Sequence, residues 1–563
     1  MSMITATAWV PRGFAAPFPT KYDFNEEEFE RIAKLAKLQL DDAKEDLDEA
    51  QNGETSGAEE KAHDSNHTKE KSTVKETKGK ADLDDDLKEY DLEHYDSDAG
   101  DEKDGESMAI FGNVKSLAYH QSNEEDPYIT MKEEEERDEE REELQILGTD
   151  NLLLATKIED EVAHLEVYLY EDQADNLYVH HDIMLPAIPL CVEWLDIPVG
   201  KPGVEKDSRG NFVAVGTFDP DIEIWDLDTV DCMYPNAILG QGSETKDAGS
   251  EASKKSKKKK KKSKKANDDF HVDAVLSLAA NRLHRNLLAS SSADQTIKLW
   301  DLNTAKCAKS YSYHTDKVGS LAWHPRESTI LLSGSCDHTV VAADMRAPTA
   351  QAPRWGVESD VESVRWNPHD PNFFYIATEQ GIVHHHDARN APSSLSSTKP
   401  LWTLHAHDES VSSFDVNPII PGFLATGSTD KEVKLWNVQA DGPSMVVSRN
   451  LGVGKVFSAT FAPDQEVGFR LAVAGSQGVV QIWDTSTNAA VRRAFAERVA
   501  PVEGEVEERL VGVEEDDSES ESEAEADAEA GEAEMGEAAD EDENDDDDEG
   551  EEAKDGWESM EED

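Results

Sequence analysis

The chain has 563 residues, of which 55 are Lys or Arg and 122 are Asp or Glu, so its formal net charge at pH 7 is −67. Hydrophobic residues make up only 37% of the chain, and the shortage is concentrated in its two charged flanks, which is typical of segments that do not form a core. No run of about 18 apolar residues occurs, which excludes a transmembrane helix, and the first residues lack the apolar segment of a secretory signal peptide.

Residues 1–149 are predicted to form an N-terminal extension with short helices and linear motifs. Residues 1–21 combine aromatic residues with prolines and are expected to be irregular, either docking in a partner's groove or packing on this chain. Apolar residues at helical intervals predict a helix over 26–47. Aromatic residues amid acidic ones at 87–131 favour linear motifs, and 132–146 is predicted to be an acidic helix.

A short phrase recurs in the middle of the chain, and it consists of small residues, a tight turn and an alternating strand ending in Trp-Asp or a substitute. Its last strand recurs every 43 to 50 residues after Trp300, close to the period of about 40–45 residues of a four-stranded propeller blade. The Trp or its substitute in the successive phrases is Trp225, Trp300, Ala343, His386, Trp436 and Trp483.

A second periodic phrase precedes each turn and predicts the inner strand of each blade, as in SLAWHP (Ser320–Pro325) and SVRWNP (Ser363–Pro368). These units give six blades after residue 187, and three alternating segments between residues 152 and 185 give a seventh. The predicted fold is therefore all-β, a seven-bladed WD40-type β-propeller over residues 150–496.

Polar residues recur with each complete phrase and predict a buried hydrogen-bonded network inside each blade, joining a His before the inner strand, a strand Ser and a turn Asp. The same residue types occur in hydrolase triads, but their repetition in successive blades together with Trp favours the structural role. The predicted members are His271, Ser292, Asp294 and Trp300; His314, Ser335 and Asp337; and His407, Ser428, Asp430 and Trp436.

An inserted loop at residues 238–268 carries a lysine tract, which is typical of a nuclear or nucleolar address or of a contact with RNA phosphates. A solubilising loop is the alternative, although a chain of this acidity does not require one. The lysines are Lys254, Lys255, Lys257, Lys258, Lys259, Lys260, Lys261, Lys262, Lys264 and Lys265.

Residues 497–563 are predicted to be an acidic disordered tail. From Glu514 to Asp563 there are 29 acidic residues and one Lys, a charge of −28 that would attract basic proteins such as ribosomal proteins or histones, or the chain's own lysine loop. Ser518, Ser520 and Ser522 each precede an acidic residue by three positions, which suits acidophilic kinases.

Enzymatic chemistry finds little support in the sequence. The cysteines Cys191, Cys232, Cys307 and Cys336 lack paired spacing, which indicates a reducing compartment and no zinc site. His384, His385 and His386 are consecutive, but neighbouring strand residues point to opposite faces, so structural histidines are favoured over a metal site. We therefore expect no catalytic residue, no metal and no cofactor.

The N-terminal stretches ITATAWVPRGFAA, EYDLEHYD and MAIFGNVKSLAYHQSNEEDPYITM, with the recurrent Trp residues, resemble the periodic tryptophan protein one family over about residues 4–490. The resemblance implies a non-catalytic WD-repeat scaffold of the nucleus and nucleolus. It would bind pre-ribosomal proteins, ribosomal proteins and precursor rRNA during large-subunit (60S) assembly and rRNA processing. The alternative is a chromatin-associated adaptor that binds histones; no membrane or small-molecule substrate is expected.

Overall fold

The computed structural model describes residues 2–24, 28, 29, 31, 32, 141–160, 162–200, 208–240, 267–347, 351–498 and 507–512. Seven four-stranded antiparallel sheets, here called blades 1 to 7, are arranged in a ring by contacts between their inner strands. The predicted seven-bladed β-propeller is confirmed. Within the described residues, no helix has the length and apolar character needed to cross a membrane.

The strands of the first four blades, given from the inner to the outer edge, cover most of the first half of the ring. They are Ser2–Val10, Asn151–Glu159, Val162–Glu171 and Asn176–Leu185 in blade 1; Pro189–Leu195, Phe212–Thr217, Ile222–Asp226 and Ala237–Leu239 in blade 2; Val275–Ala280, Leu287–Ser292, Ile297–Asp301 and Lys306–Tyr311 in blade 3; and Val318–Trp323, Ile330–Ser335, Thr339–Asp344 and Arg354–Gly356 in blade 4.

The remaining three blades complete the ring and carry the short helical elements. Their strands are Val361–Trp366, Phe373–Thr378, Ile382–Asp387 and Trp402–His405 in blade 5; Ser413–Val416, Phe423–Gly427, Val433–Gln439 and Gly442–Arg449 in blade 6; and Val456–Phe461, Arg470–Gly475, Val480–Asp484 and Arg509–Gly512 in blade 7. The helix Ala489–Ala494 follows blade 7's third strand, and the 3-10 turns are Leu395–Ser397, Gln465–Val467 and Thr485–Thr487.

The core lies between the blades, because each sheet has a neighbouring sheet on either face. Alternation along a strand sends successive side chains to opposite faces, so a blade strand can be apolar on both sides. The repeated Trp residues fill these spaces: Trp225, Trp300 and Trp483 are each at most 1% exposed. Burying an aromatic side chain of this size makes a large contribution to the free energy of folding.

The inner strand of blade 1 is the N-terminal strand Ser2–Val10, which pairs antiparallel with Asn151–Glu159 from Ser2 opposite Glu159 to Val10 opposite Leu152. The prediction of an irregular start was therefore wrong for these residues. Ala8 to Pro11 read A-W-V-P, close to the A-W-H-P of the blade 4 inner strand. A separation of some 140 residues from the rest of the blade hid that signal.

This strand joins the two ends of the ring. On one side, the Thr5 hydroxyl donates to the Pro189 carbonyl of blade 2 at 3.0 Å. On the other side, the hydroxyls of Thr7 and Ser458 lie 2.7 Å apart, and the Trp9 indole donates to the Thr460 carbonyl of blade 7 at 3.1 Å. The propeller is closed by hydrogen bonds and packing of the N-terminal strand.

The residues after the N-terminal strand pack on this chain, which decides between the two alternatives for the aromatic start. Phe14 stacks edge-on against Trp194 with ring centroids 4.8 Å apart. Thr20–Lys21 pairs in parallel with Thr229–Val230. The Arg141 guanidinium lies 4.5 Å from the centre of the Phe18 ring, so the two ends of the 11–150 connection meet at the surface of the propeller.

The last blade is completed by Arg509–Gly512, which lies inside the region predicted as an acidic tail. Four residues amid acidic sequence gave too short an apolar alternation to predict a strand. Val491 and Phe495, considered as a closing strand, instead belong to and follow the helix Ala489–Ala494, whose Val491 is fully buried. The propeller therefore uses residues outside the predicted 150–496 at both ends.

Several predicted elements lie outside the described residues. Of the helix predicted over 26–47, the structure describes residues 28, 29, 31 and 32, which are helical. The motifs at 87–131 fall outside, as does most of the acidic helix over 132–146, of which residues 141–143 are helical.

Replacing the buried tryptophan of the N-terminal strand should weaken the closure of the ring. Trp9 is 8% exposed, so Trp9→Ala is expected to lower the free energy of unfolding by about 3–5 kcal/mol, as for other buried aromatic residues. Phe24→Ala is the control, because Phe24 is 60% exposed. Denaturant unfolding of both variants measures the difference, and equal losses would show that the strand does not hold the ring closed.

Candidate functional site

Blade 3 contains a buried polar network that runs from its top turn to its Trp. The Nδ1 atom of His271 lies 3.0 Å from a carboxylate oxygen of Asp294, and its Nε2 atom lies 2.7 Å from the Ser290 hydroxyl oxygen. The Trp300 indole donates to the same hydroxyl at 2.8 Å. The network thus ties the segment before the inner strand to the second and third strands.

Blade 4 repeats the first part of this arrangement without the Trp. His314 lies 3.1 Å from the Asp337 carboxylate and 2.8 Å from the Ser333 hydroxyl. Ala343 occupies the Trp position and cannot donate a hydrogen bond from its side chain. The His–Asp pair is therefore retained where the indole is lost.

Blade 6 has the complete network with a threonine in place of the serine. His407 lies 2.7 Å from the Asp430 carboxylate and 2.8 Å from the Thr426 hydroxyl. The Trp436 indole donates to Thr426 at 3.0 Å. Three blades thus share one geometry built from the same positions.

The serine predicted for each network was wrong. Ser292 accepts the backbone N–H of Asp294 at 3.1 Å and donates to the Asp273 carbonyl at 2.9 Å, and Ser335 and Ser428 likewise accept from the backbone of their turn Asp. Residues two apart on a strand share a face, so the phrase alone did not distinguish them. The residues that were missed, Ser290, Ser333 and Thr426, each lie ten positions before the Trp or its substitute.

The electrostatics of the network favour a structural role. Burial disfavours the charged form of both partners: it lowers the pKa of His271, while hydrogen bonds from His271 and Thr296 outweigh it at Asp294 and lower that pKa to about 2. His271 and Ser290 are at most 1% exposed, so no substrate reaches the hydroxyl. The His, Ser and Asp together do not form an accessible hydrolase triad.

Blade 5 lacks this network. The positions of its His, Ser and Asp are occupied by Val357, Ile376 and Gln380, and His386 stands in place of the Trp. His386 instead stacks on Phe374, with ring centroids 5.5 Å apart and planes at 20°. The Nε2 atom of His386 is buried and has no hydrogen-bond partner.

The three consecutive histidines of blade 5 alternate between the two faces of the strand. His384 and His386 are 5% and 2% exposed, whereas His385 stacks on Tyr375 at 4.7 Å on the opposite face. Burial, followed by the neighbouring histidines, lowers the pKa of His386 to about 4. Among the described residues, no group of three or more His, Cys, Asp or Glu side chains is arranged to hold a metal ion.

One end of the propeller, here called the top face, carries the loops that enter each inner strand and the turns between the second and third strands. Antiparallel order brings these loops and turns to the same end of every blade. In the described residues its exposed cations are Lys317, Lys431 and Lys455. Its exposed carboxylates are more numerous: Glu159, Asp160, Asp219, Asp268, Asp269, Asp273, Asp316, Glu358, Glu362, Glu379, Asp408 and Glu409.

The inner strands surround a central channel that holds a cavity of about 660 Å³. Its charged side chains are compensated within the wall: Arg282 donates to Glu193 at 2.7 Å, and Arg365 lies 3.8 Å from Asp415. Burial raises the pKa of Glu193 and of Asp415. The channel wall is thus polar and self-paired, and the unbalanced negative charge lies on the top face outside it.

Two groups of predicted site residues lie beyond the described part of the chain. They are the lysines of the 254–265 tract and the candidate phosphorylation sites Ser518, Ser520 and Ser522. The described residues that flank the tract, Leu239 at the end of blade 2 and His271 before blade 3, both belong to the top face end of their strands. The lysine tract is therefore inserted at the acidic end of the propeller.

Comparisons with known proteins agree with this architecture. The WD domain, G-beta repeat model matches residues 266–301, 305–341 and 398–437. The chain is 50% identical to an uncharacterized WD repeat-containing protein of Schizosaccharomyces pombe, over 92% of this chain and 95% of that protein. It is 40% identical to Periodic tryptophan protein 1 of Saccharomyces cerevisiae, over 90% and 92%, and 30% identical to the Periodic tryptophan protein 1 homolog of Drosophila melanogaster, over 88% and 96%.

The shared hydroxyl of blade 3 should couple energetically to its Trp. Ser290→Ala leaves the His271 imidazole and the Trp300 indole without their partner, at an expected cost of about 1–3 kcal/mol. In a double-mutant cycle with Trp300→Phe, Ser290→Ala should show a coupling of about 0.5 kcal/mol or more, and Ser292→Ala should show less. Denaturant unfolding of the six proteins measures both couplings; a larger coupling for Ser292 would contradict the network.

The buried histidine of blade 5 should make the fold sensitive to acid. Its folded-state pKa of about 4 lies below the unfolded value of about 6.5, so its contribution to stability is present above pH 6.5 and is lost as the pH falls toward 4. Replacing it by the repeat's own aromatic residue, His386→Trp, should reduce the pH slope of the unfolding free energy by about 1.4 kcal/mol per pH unit in this range. The exposed His284→Gln should leave the slope unchanged, and equal slopes in all three proteins would show that His386 titrates normally.

Proposed function

This chain belongs to the periodic tryptophan protein 1 family of WD-repeat proteins, and from that premise we propose that it is a non-catalytic nucleolar scaffold of ribosome biogenesis. It would hold pre-ribosomal and ribosomal proteins and precursor rRNA together during assembly of the large subunit. Family membership rests on similarity over nine-tenths of the chain to relatives of comparable length. It agrees with ribosome biogenesis and gives no partner by itself.

The observation that supports a role in binding is the distribution of charge over a closed propeller. Acidic side chains dominate the exposed top face, and the described blades bury their His, Ser and Asp groups in structural networks. Ribosomal proteins are basic, and a field of one sign raises their rate of encounter with this face. The acidic tail of 514–563 extends the same attraction, whereas the lysine tract offers the opposite charge to RNA phosphates.

Histones are basic as well, so the same surface fits a chromatin adaptor. Purification of the tagged full chain from nuclei, after lysis without nuclease, distinguishes the two functions. We expect precursor rRNA of the large subunit to be enriched over a tag-only control, with histones at the control level. Enrichment of histones without precursor rRNA would overturn the scaffold in favour of the adaptor.

A second arm of the same purification tests the lysine tract. A variant with all ten lysines of 254–265 replaced by Gln should recover less precursor rRNA and be less concentrated in the nucleolus, with an unchanged melting temperature. A variant with the same number of exposed acidic residues of 514–563 neutralised is the matched control for change of charge. Unaltered RNA recovery and localisation in the lysine variant would leave the tract as a solvated insertion.

A further inference from the structure

The space between blades 4 and 5 contains a cavity of about 530 Å³ that no structural network fills. His384 and His386 line it from the third strand of blade 5, and Glu358 lines it from the segment before the inner strand. The two histidines are at least 95% buried, and each has an Nε2 atom without a hydrogen-bond partner. Buried polar atoms are nearly always paired in folded proteins, so these two indicate a missing partner.

The replacement of the blade network explains why these atoms have no partner within the chain. In blade 3 the position of His384 is Lys298, which donates to the Ser310 hydroxyl at 3.0 Å, and the position of His386 is Trp300, which donates to Ser290. In blade 5 the residue opposite His384 is the apolar Ile376. Its polar contact on the chain is a 3.4 Å approach of the Thr403 hydroxyl to Nδ1 of His384.

The chemistry of the cavity fits a cationic donor. Burial lowers the pKa of both imidazoles and keeps them neutral, and a neutral imidazole has one nitrogen that accepts a hydrogen bond. Glu358 is exposed and contributes a carboxylate that acts electrostatically on His384. Two neutral acceptors and one carboxylate match an ammonium or guanidinium group, which has several donors and no acceptor.

A second cavity, of about 670 Å³, continues from the first, and Leu395 lines both. Its walls include Tyr313, Pro353 and Pro392, and Leu395 is 45% exposed. An apolar side chain next to a basic one on an extended peptide would therefore meet apolar contact in the second cavity and acceptors in the first. Neither cavity belongs to the central channel.

We propose that the groove between blades 4 and 5 binds an extended segment of a basic protein, with a Lys or Arg side chain held by His384, His386 and Glu358 and an apolar neighbour placed against Leu395 and Tyr313. This proposal rests on the scaffold function and gives it a defined binding site for a basic partner. A metal ion is the competing cation, but the described residues supply no group of three ligands for it. The peptide is therefore the occupant that the structure favours.

The test uses four pools of fluorescein-labelled nonapeptides with random flanks and a fixed central Arg, Lys, Gln or Glu. Capture by the full chain is measured at 0.3 M salt, because exposed charges of the tail are then strongly screened. We expect the wild type to capture the Arg or Lys pool about tenfold more than the Gln pool, with apolar residues enriched beside the fixed position.

Two variants keep the outcome independent of folding. His386→Trp restores the aromatic residue that blades 3 and 6 use and fills the cavity, whereas Glu358→Gln alters an exposed side chain. Each should reduce the preference for the basic pool by about tenfold. Glu327→Gln, which removes the same charge from an exposed residue outside the cavity, should preserve it.

Equal preference in the wild type and both groove variants, or no preference for basic pools, would overturn the proposal. A rise in melting temperature with ZnCl₂ in the wild type that His386→Trp abolishes would overturn it in favour of a metal. If the pools are not distinguished while the full chain still recovers precursor rRNA, the groove proposal fails and the scaffold function stands. If the groove selects basic pools but precursor rRNA is not recovered, the scaffold function fails instead.

Discussion

The closure of the ring by the N-terminal strand is the constraint on which the other contacts depend. Every inner strand of a propeller needs a neighbour on both sides, and no peptide bond joins blade 7 to blade 1. Ser2–Val10 supplies the missing neighbour by pairing with Asn151–Glu159 and bonding to blades 2 and 7. Closing a connection of some 140 residues costs about 4 kcal/mol of chain entropy, and burial of Ile4, Trp9 and Val10 opposes that cost.

The same closure explains how this chain accommodates a long insertion in its first blade. The connection leaves blade 1 after Val10 and returns at Asn151, two residues that belong to adjacent strands of one sheet. Near its ends, the Ile146 N–H donates to the Pro17 carbonyl at 3.0 Å. Because both ends are fixed to the same blade, sequence between them can change without altering the ring. A connection of this kind is a suitable place for motifs that recruit partners.

The sequence predicted those features that repeat and missed those that occur once. Seven blades followed from the period of the Trp phrase, and the His–Asp pairs followed from its turn. The strand Ser2–Val10 was missed because its A-W-V-P phrase stands far from its own blade, and Arg509–Gly512 was missed because it has four residues in acidic sequence. Ser292 was chosen over Ser290 because both share a strand face, and only the position of the His271 ring in space separates them.

The departures of blade 5 from its own repeat carry more functional information than the complete blades do. In blades 3 and 6, the hydroxyl shared by His and Trp leaves both rings with partners, so these residues are fully used in holding the blade. In blade 5, His384 and His386 bear the cost of burial without that return, and the adjacent blade leaves room beside them. A local conflict that the fold tolerates is where binding is expected, since sequences otherwise satisfy their buried polar groups. The degenerate phrase, which weakens the repeat as a sequence signal, is for that reason the part of the propeller that most specifically describes a partner.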